Sequence, residues 1–179
     1  MLLETKRLCL RPLTMDDLDA LHAVLSDPVA MAHYPAPFTR ARTEAWIRWN
    51  LDNYARHGFG LWAVTLRAGG ACIGDCGITL QPIGGAMQPE IGYHIHRAHW
   101  GQGYATEAAQ ACRAYGFDAL GLDVLYSYMK QGNLPSRRVA VKNGMRLMDT
   151  VQEGQGEPTT VYAITRAEYA LLAGQGMQA

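Results

Sequence analysis

Residues 90 to 108, EIGYHIHRAHWGQGYATEA, run from an alternating stretch through two glycines one residue apart and straight into helix-forming sequence. No other segment restricts the fold as much. EIGYHIHR has the period of a strand, and residues 103 to 120 place Tyr104, Ala108, Cys112 and Tyr115 at helical spacing. DVLYSYM follows as a second strand, so the segment reads as a strand–helix–strand crossover. The first N–H groups of a helix have no internal partner, and the helix dipole adds about half a positive charge there. Gly101 and Gly103 open backbone conformations closed to other residues and leave the main chain bare. Such a turn suits an anion, a phosphate above all. Ala105, Ala108, Ala109 and Ala111 are small enough to let the helix lie close to a sheet.

The chain has 179 residues, the length of one ordinary domain with a real core. Residues 3 to 12 alternate as a first strand. Thr14 caps a helix with Asp16 and Asp17 in its first turn and Leu18, Leu21, Val24 and Leu25 inward. After the irregular DPVAMAHYPAPF, a second helix spans Thr39 to Gly58, with Trp46, Ile47, Tyr54 and Trp49 as its inward candidates. GLWAVTLRAGGACIGDCGITL then reads as two strands about Gly69 and Gly70, and PIGGAMQP as a loop. LPSRRVAVKNGM is a short helix ended by Gly144, and two strands near 146–152 and 159–165 form a hairpin across EGQGEP, with a short helix to close. The fold class is α+β: a mixed, mostly antiparallel sheet of about seven strands flanked by helices.

Bulk chemistry excludes several classes. Sixteen basic residues balance sixteen acidic ones, which gives no electrostatic footprint for nucleic acid or a membrane surface. The N-terminus carries charges where a signal peptide needs an apolar core, and no run reaches membrane-span length. Cys9, Cys72, Cys76 and Cys112 show no CxxC spacing and read as reduced thiols of a cytoplasmic protein. At the glycine turn, a plain hinge is one reading. A Rossmann fingerprint wants a glycine where Thr106 stands, and a P-loop wants Gly-Lys-Ser/Thr. His94, His96 and His99 suit a metal by spacing, but no cysteine lies nearby and Glu90 is the one obvious carboxylate, so polar residues near a ligand is the reading preferred and no metal is expected.

Three stretches together resemble the GNAT superfamily of N-acetyltransferases, most closely the branch of the ribosomal-protein N-terminal acetyltransferases. They are IGDCGI (73–78), EIGYHIHRAHWGQGYATEA (90–108) and NLPSRRVAVKNGM (133–145), and their order runs through about half the chain. The superfamily's phosphate motif falls on Trp100 to Ala105, with Trp100 in place of Gln or Arg. The resemblance implies a GNAT fold over the single domain 1–179, with the strands EIGYHIHR and DVLYSYM splayed apart and a bulge near Gly92 helping them part. It implies acetyl-CoA as cofactor. Gln102, Gly103, Tyr104, Ala105 and Thr106 are then to hold the pyrophosphate, Ile95, His96 and Arg97 to pair with the pantetheine arm, and Asn133 and Ser136 to meet the arm beyond the second strand. A homodimer is compatible with it.

The implied reaction moves an acetyl group from a thioester to an amine, which attacks only when neutral. At pH 7 a lysine amine is neutral roughly once in 2,500 molecules and an α-amine about one time in ten. An α-amine therefore needs little help, and positioning with carbonyl polarisation supplies much of the rate. Glu90 is the candidate general base, working through a water, or else a solvated strand-end carboxylate. Ser136 is the candidate acid or thiol contact, or else a helix cap. Many superfamily members place a tyrosine acid where Ala140 stands here. Tyr93, His94 and Tyr128 are lesser candidates, and Arg138 and Lys142 are cations within reach of nucleotide phosphates. Acceptor choice is expected from the first two helices, the segment Tyr34 to Phe38 and PIGGAMQP. The acceptor is expected to be a protein or peptide N-terminal amine. The alternatives are a small amine such as an aminoglycoside or amino acid, a non-catalytic coenzyme A module, and a His-cluster metal protein.

Overall fold

The computed structural model describes residues 2–152 and 155–176, with side chains described to residue 172. The elements run β1 (Leu3–Glu4), β2 (Leu8–Pro12), α1 (Leu18–Leu25), α2 (Arg40–His57), β3 (Leu61–Leu66), β4 (Cys72–Ile83), β5 (Ala86–Ile95), α3 (Tyr104–Asp118), β6 (Val124–Lys130), α4 (Leu134–Lys142), β7 (Arg146–Val151), β8 (Thr159–Thr165) and α5 (Arg166–Gly176). The eight strands lie in the order β1-β2-β3-β4-β5-β6-β8-β7, and all neighbours are antiparallel except β5 and β6. The chain has the GNAT fold.

The sheet exceeds the expected seven strands because residues 3 to 12 do not form one strand. The Thr5 hydroxyl accepts from the Leu8 N–H at 2.9 Å and the Thr5 N–H donates to the Leu8 carbonyl at 2.9 Å. That turn folds β1 back on β2. PIGGAMQP is likewise not a loop. It continues β4 into β5 around Gly84 and Gly85, both at positive φ, as a tight hairpin. α2 follows expectation: Thr39 accepts from the Arg42 N–H at 3.2 Å, and Gly58 at φ 78° ends the helix. The expected first helix opens instead as one 3-10 turn, Met15–Asp17. Asp17 accepts from the Thr14 N–H and holds Arg11 by two bonds of 2.8 and 2.6 Å.

Two apolar layers hold the sheet. On one face Ala108, Ala109, Cys112 and Tyr115 of α3 pack on Ile78, Ile91, Ile95 and Leu125. On the other, Leu21 and Leu25 of α1 and Ile47 of α2 pack with Phe38 and Ala63. Burial of each leucine, isoleucine and phenylalanine among them contributes roughly 1.5–3 kcal/mol before entropy is counted. All four cysteines are free thiols.

The parallel contact between β5 and β6 positions the site. Its ladder has a single register pair, Glu90 with Tyr126. Beyond it the strands part, as a splayed pair. No bulge at Gly92 causes this, because the β4–β5 register runs unbroken from Ile83/Ala86 to Gly74/Ile95. The register slip expected at Gly92 sits instead between β3 and β4, at Val64/Thr65. Side-chain bonds stand beside the end of the β5–β6 ladder: the Ile91 carbonyl accepts from the Ser127 hydroxyl at 2.9 Å, and the Tyr128 N–H donates to the Glu90 carboxylate.

Candidate active site

Past Ile95 the chain makes one 3-10 turn, Arg97–His99, and enters the glycine turn. Gly101 and Gly103 adopt φ of 74° and 82°, and Gly103 caps α3. Residues with a Cβ rarely take such angles, and this conformation turns successive amides toward one side. Among the described residues, no acceptor meets the N–H groups of Gln102, Gly103, Tyr104, Ala105 and Thr106. Arg7 braces the turn from outside. It donates to the Gln102 carbonyl at 2.9 Å, pairs with Glu107 at 2.6 Å and lies 4.4 Å over the Tyr104 ring. Burial opposes the Glu107 charge, but bonds from Thr5 and Arg7 outweigh it and lower that carboxyl's pKa. Arg7→Ala is therefore expected to raise the KM for acetyl-CoA about three- to tenfold with kcat unchanged, because the amides lose their preset geometry. Steady-state kinetics at varied acetyl-CoA checks this.

The backbone of β5 beside the splay is partly unpaired. The His96 N–H donates to the Ile73 carbonyl at 2.8 Å. By the alternation of an antiparallel ladder, Tyr93 and Ile95 then turn their N–H and C=O toward the gap. The Ile95 carbonyl is met by the Trp100 indole at 2.7 Å. This leaves Tyr93, the Ile95 N–H and the Arg97 N–H for a partner strand, while both backbone groups of His96 are occupied, its carbonyl by the His99 N–H.

Glu90 and Ser136 fall on opposite faces of this gap. Glu90 is not a solvated strand-end carboxylate; it is 8% exposed, between Thr79 and the Tyr128 N–H. A Cβ on Gly92 would stand 3.1 Å from a Glu90 carboxylate oxygen, so the side chain leans along β5 over that glycine. Burial pushes its pKa up to about 8 against the partial relief of those two bonds. A folded chain thus keeps this proton over a range in which an unfolded glutamate, near 4.5, has lost it. Stability from this group is complete below pH ~4.5 and is lost as pH rises toward ~8. Glu90→Gln should flatten that decline, seen as a smaller fall in melting temperature from pH 5 to 9.

On the other face Asn133, not Ser136, caps α4, accepting from the Ser136 N–H at 3.2 Å. The Ser136 hydroxyl is 2.9 Å from the Tyr93 hydroxyl, which also donates to the Ser136 carbonyl at 2.9 Å. Tyr93 has one proton to donate, so the serine hydroxyl donates to Tyr93. Burial, eased by the bond to Ser136, raises the Tyr93 pKa. Ala140 is 1% exposed and leaves no place for a tyrosine acid. Arg138 and Lys142 are exposed on α4. Tyr128 is 40% exposed.

The histidines do not share a centre. His94 Nδ1 lies 2.7 Å from an oxygen of the fully buried Asp75, and its Nε2 lies 2.7 Å from the Tyr34 hydroxyl. Trp46 donates to the other Asp75 oxygen at 2.9 Å. His96 instead faces His99, ring to ring at 6.1 Å. Among the described residues no three His, Cys, Asp or Glu side chains are grouped to hold a metal. Sequence reasoning missed Asp75 altogether. The available signal was a carboxylate set between apolar Ile73 and Ile78, which in a strand implies burial with a partner.

The splayed parallel strand pair and the turn of unpaired amides beside it are the site architecture of an acyltransferase class. The acetyltransferase (GNAT) domain model matches residues 7–146, and the chain belongs to that family. It is 37% identical over 161 residues to the Bacillus subtilis (strain 168) protein YkkB, covering 89% of this chain and 93% of that one. An acetyltransferase structure from Agrobacterium tumefaciens str. C58 superposes with a TM-score of 0.79 at 32% identity, over 92% of this chain and 94% of that one. RimL, described as a ribosomal L7/L12 alpha-N-protein acetyltransferase in complex with coenzyme A, shares the fold at a TM-score of 0.77 and 18% identity, over 92% and 98%. The protein is an N-acetyltransferase of a family that uses acetyl-CoA. No helix among the described residues is long and apolar enough to cross a membrane.

Proposed function

We propose that this chain transfers the acetyl group of acetyl-CoA to an α-amine, with the N-terminus of a protein or peptide as the acceptor class. Acetyl-CoA supplies the acyl group already activated as a thioester. The residues fit it: five unpaired amides from Gln102 to Thr106 suit a diphosphate, and Tyr93, Ile95 and Arg97 offer backbone groups to a pantetheine amide. Asn133 and Ser136, at the start of α4, border the far side of the gap. Glu90 serves as general base on one face, and the Ser136–Tyr93 hydroxyl pair meets the departing sulfur on the other.

The reading is carried by the Glu90 carboxyl, buried on β5 beside the gap with its pKa raised by that burial, where it can take a proton from a bound amine. An α-amine at ~7.7–8.0 is neutral at pH 7 far more often than a lysine amine at ~10.4 and so asks less of such a base. RimL, which shares the fold, is described as acting on an α-amine. Thiol release from acetyl-CoA should be fastest with a serine-initiated hexapeptide, slower with free methionine and slowest with kanamycin. An N-acetylated copy of the peptide should be inert. Kanamycin as the best acceptor, or equal rates with the blocked peptide, would overturn the α-amine reading.

A further inference from the structure

The chain of bonds Trp46–Asp75–His94–Tyr34 has no part in the fold's cofactor grip, yet it costs the protein a fully buried carboxylate. Asp75 accepts twice, from the Trp46 indole and from His94 Nδ1. That fixes the imidazole tautomer with its proton on Nδ1 and turns the Nε2 lone pair to Tyr34. The Tyr34 hydroxyl donates to that lone pair, so its own oxygen is left as an acceptor facing outward. An acceptor oxygen, a histidine behind it and a buried carboxylate behind that form the arrangement by which a hydroxyl passes on a proton.

The location matches an amine bound over Glu90. His94, Gly92 and Glu90 alternate on one face of β5, so His94 and Gly92 stand about 6.6–7 Å apart along it. Gly92 has no side chain, and the Glu90 carboxylate leans over it toward His94. Burial raises the Tyr34 pKa, and the Glu90 and Asp75 charges add to this, so the phenol stays protonated and conducts a proton without holding a negative charge. Tyr34 is 41% exposed, and its bond to His94 lies at the surface, so the hydroxyl borders solvent.

Proton accounting calls for such a path. An ammonium acceptor loses two protons as the N–C bond forms and the C–S bond breaks. One ends on the departing thiolate and the other must reach solvent. Glu90 is buried and takes one only. Resting on the transferase reading above, we propose that Tyr34, backed by His94 and Asp75, takes the second proton of the acceptor amine and releases it to solvent. The amine N–H proton moves to the Tyr34 oxygen as the Tyr34 proton moves to His94 Nε2. The imidazolium so formed is held by Asp75; its Nε2 proton then returns to the Tyr34 oxygen as that oxygen gives the amine's proton to water. Tyr34 is thus a catalytic residue that touches substrate, and His94 and Asp75 are positioning residues behind it.

The test uses the full chain with acetyl-CoA and the serine-initiated hexapeptide, free methionine and kanamycin as probes, carrying forward the fastest. Tyr34→Phe and His94→Ala should each lower kcat about 10²-fold, the usual worth of a placed proton acceptor. The KM for acetyl-CoA and the melting temperature should stay near wild type for Tyr34→Phe. Added imidazole should restore His94→Ala activity in a saturable way, which a merely structural histidine would not allow. If the wild type turns over and Tyr34→Phe keeps kcat within about twofold, or imidazole rescues nothing, the relay is wrong and the transferase reading stands. If the wild type releases no thiol above the amine-free blank with any probe, the transferase reading fails and the relay with it.

Discussion

Glu90→Gln is expected to lower kcat by about two to three orders of magnitude while changing the KM for acetyl-CoA less than about threefold. The amide keeps the shape of the carboxyl and its acceptor for the Tyr128 N–H, so the β5–β6 splay survives. It cannot take a proton. The second signature is in the pH profile. At saturating substrates the wild-type kcat should climb as pH rises through about 8, where Glu90 gives up its proton against the cost of burial. The variant should lose that limb. A variant within about threefold of wild type across pH 6 to 9 would place proton removal elsewhere.

Gly103→Val should raise the KM for acetyl-CoA about 10- to 100-fold with a smaller change in kcat. Gly103 sits at φ 82°, where a β-branched residue is an outlier, so the turn must rearrange. The amides of Gln102 to Thr106 then no longer converge. Hydrogen bonds to a charged group contribute about 1.5–3 kcal/mol each, and losing one or two gives the stated range. Gly121→Val is the control. Gly121 also has positive φ, at 69°, with open space about it, but lies outside the turn. It should carry a comparable loss of stability and an unchanged KM. Equal effects of the two variants on KM would mean that strain alone, not the amide cradle, was measured.

The parts of the site that local chemistry builds were legible in the sequence. Two glycines between a period-two stretch and a period-3.6 stretch locate the turn, whereas Ser136 offered itself as the cap of α4 although Asn133, three residues earlier, holds that place. Long-range contacts were less so. Tyr34, Asp75 and His94 come from three separate segments, and only the antiparallel register of β4 on β5, with Asp75 opposite His94, brings two of them together. A solvated Glu90 stayed open beside the general base because Gln88 and Pro89 precede it, whereas the strand continues through them into a hairpin and carries Glu90 into the interior. The break at Thr5 was hidden because Leu8 and Leu10 alone carry the alternation, and the turn before them is made by one hydroxyl.

The central claim is that the amides from Gln102 to Thr106 hold the diphosphate of acetyl-CoA in the gap between β5 and β6. A crystal structure of the chain grown with coenzyme A measures this directly. The account predicts diphosphate oxygens at hydrogen-bond distance, about 2.7–3.2 Å, from those amides, and a pantetheine arm paired with Tyr93 and Ile95. Coenzyme A bound at any other surface, with that turn closed on itself, would contradict it.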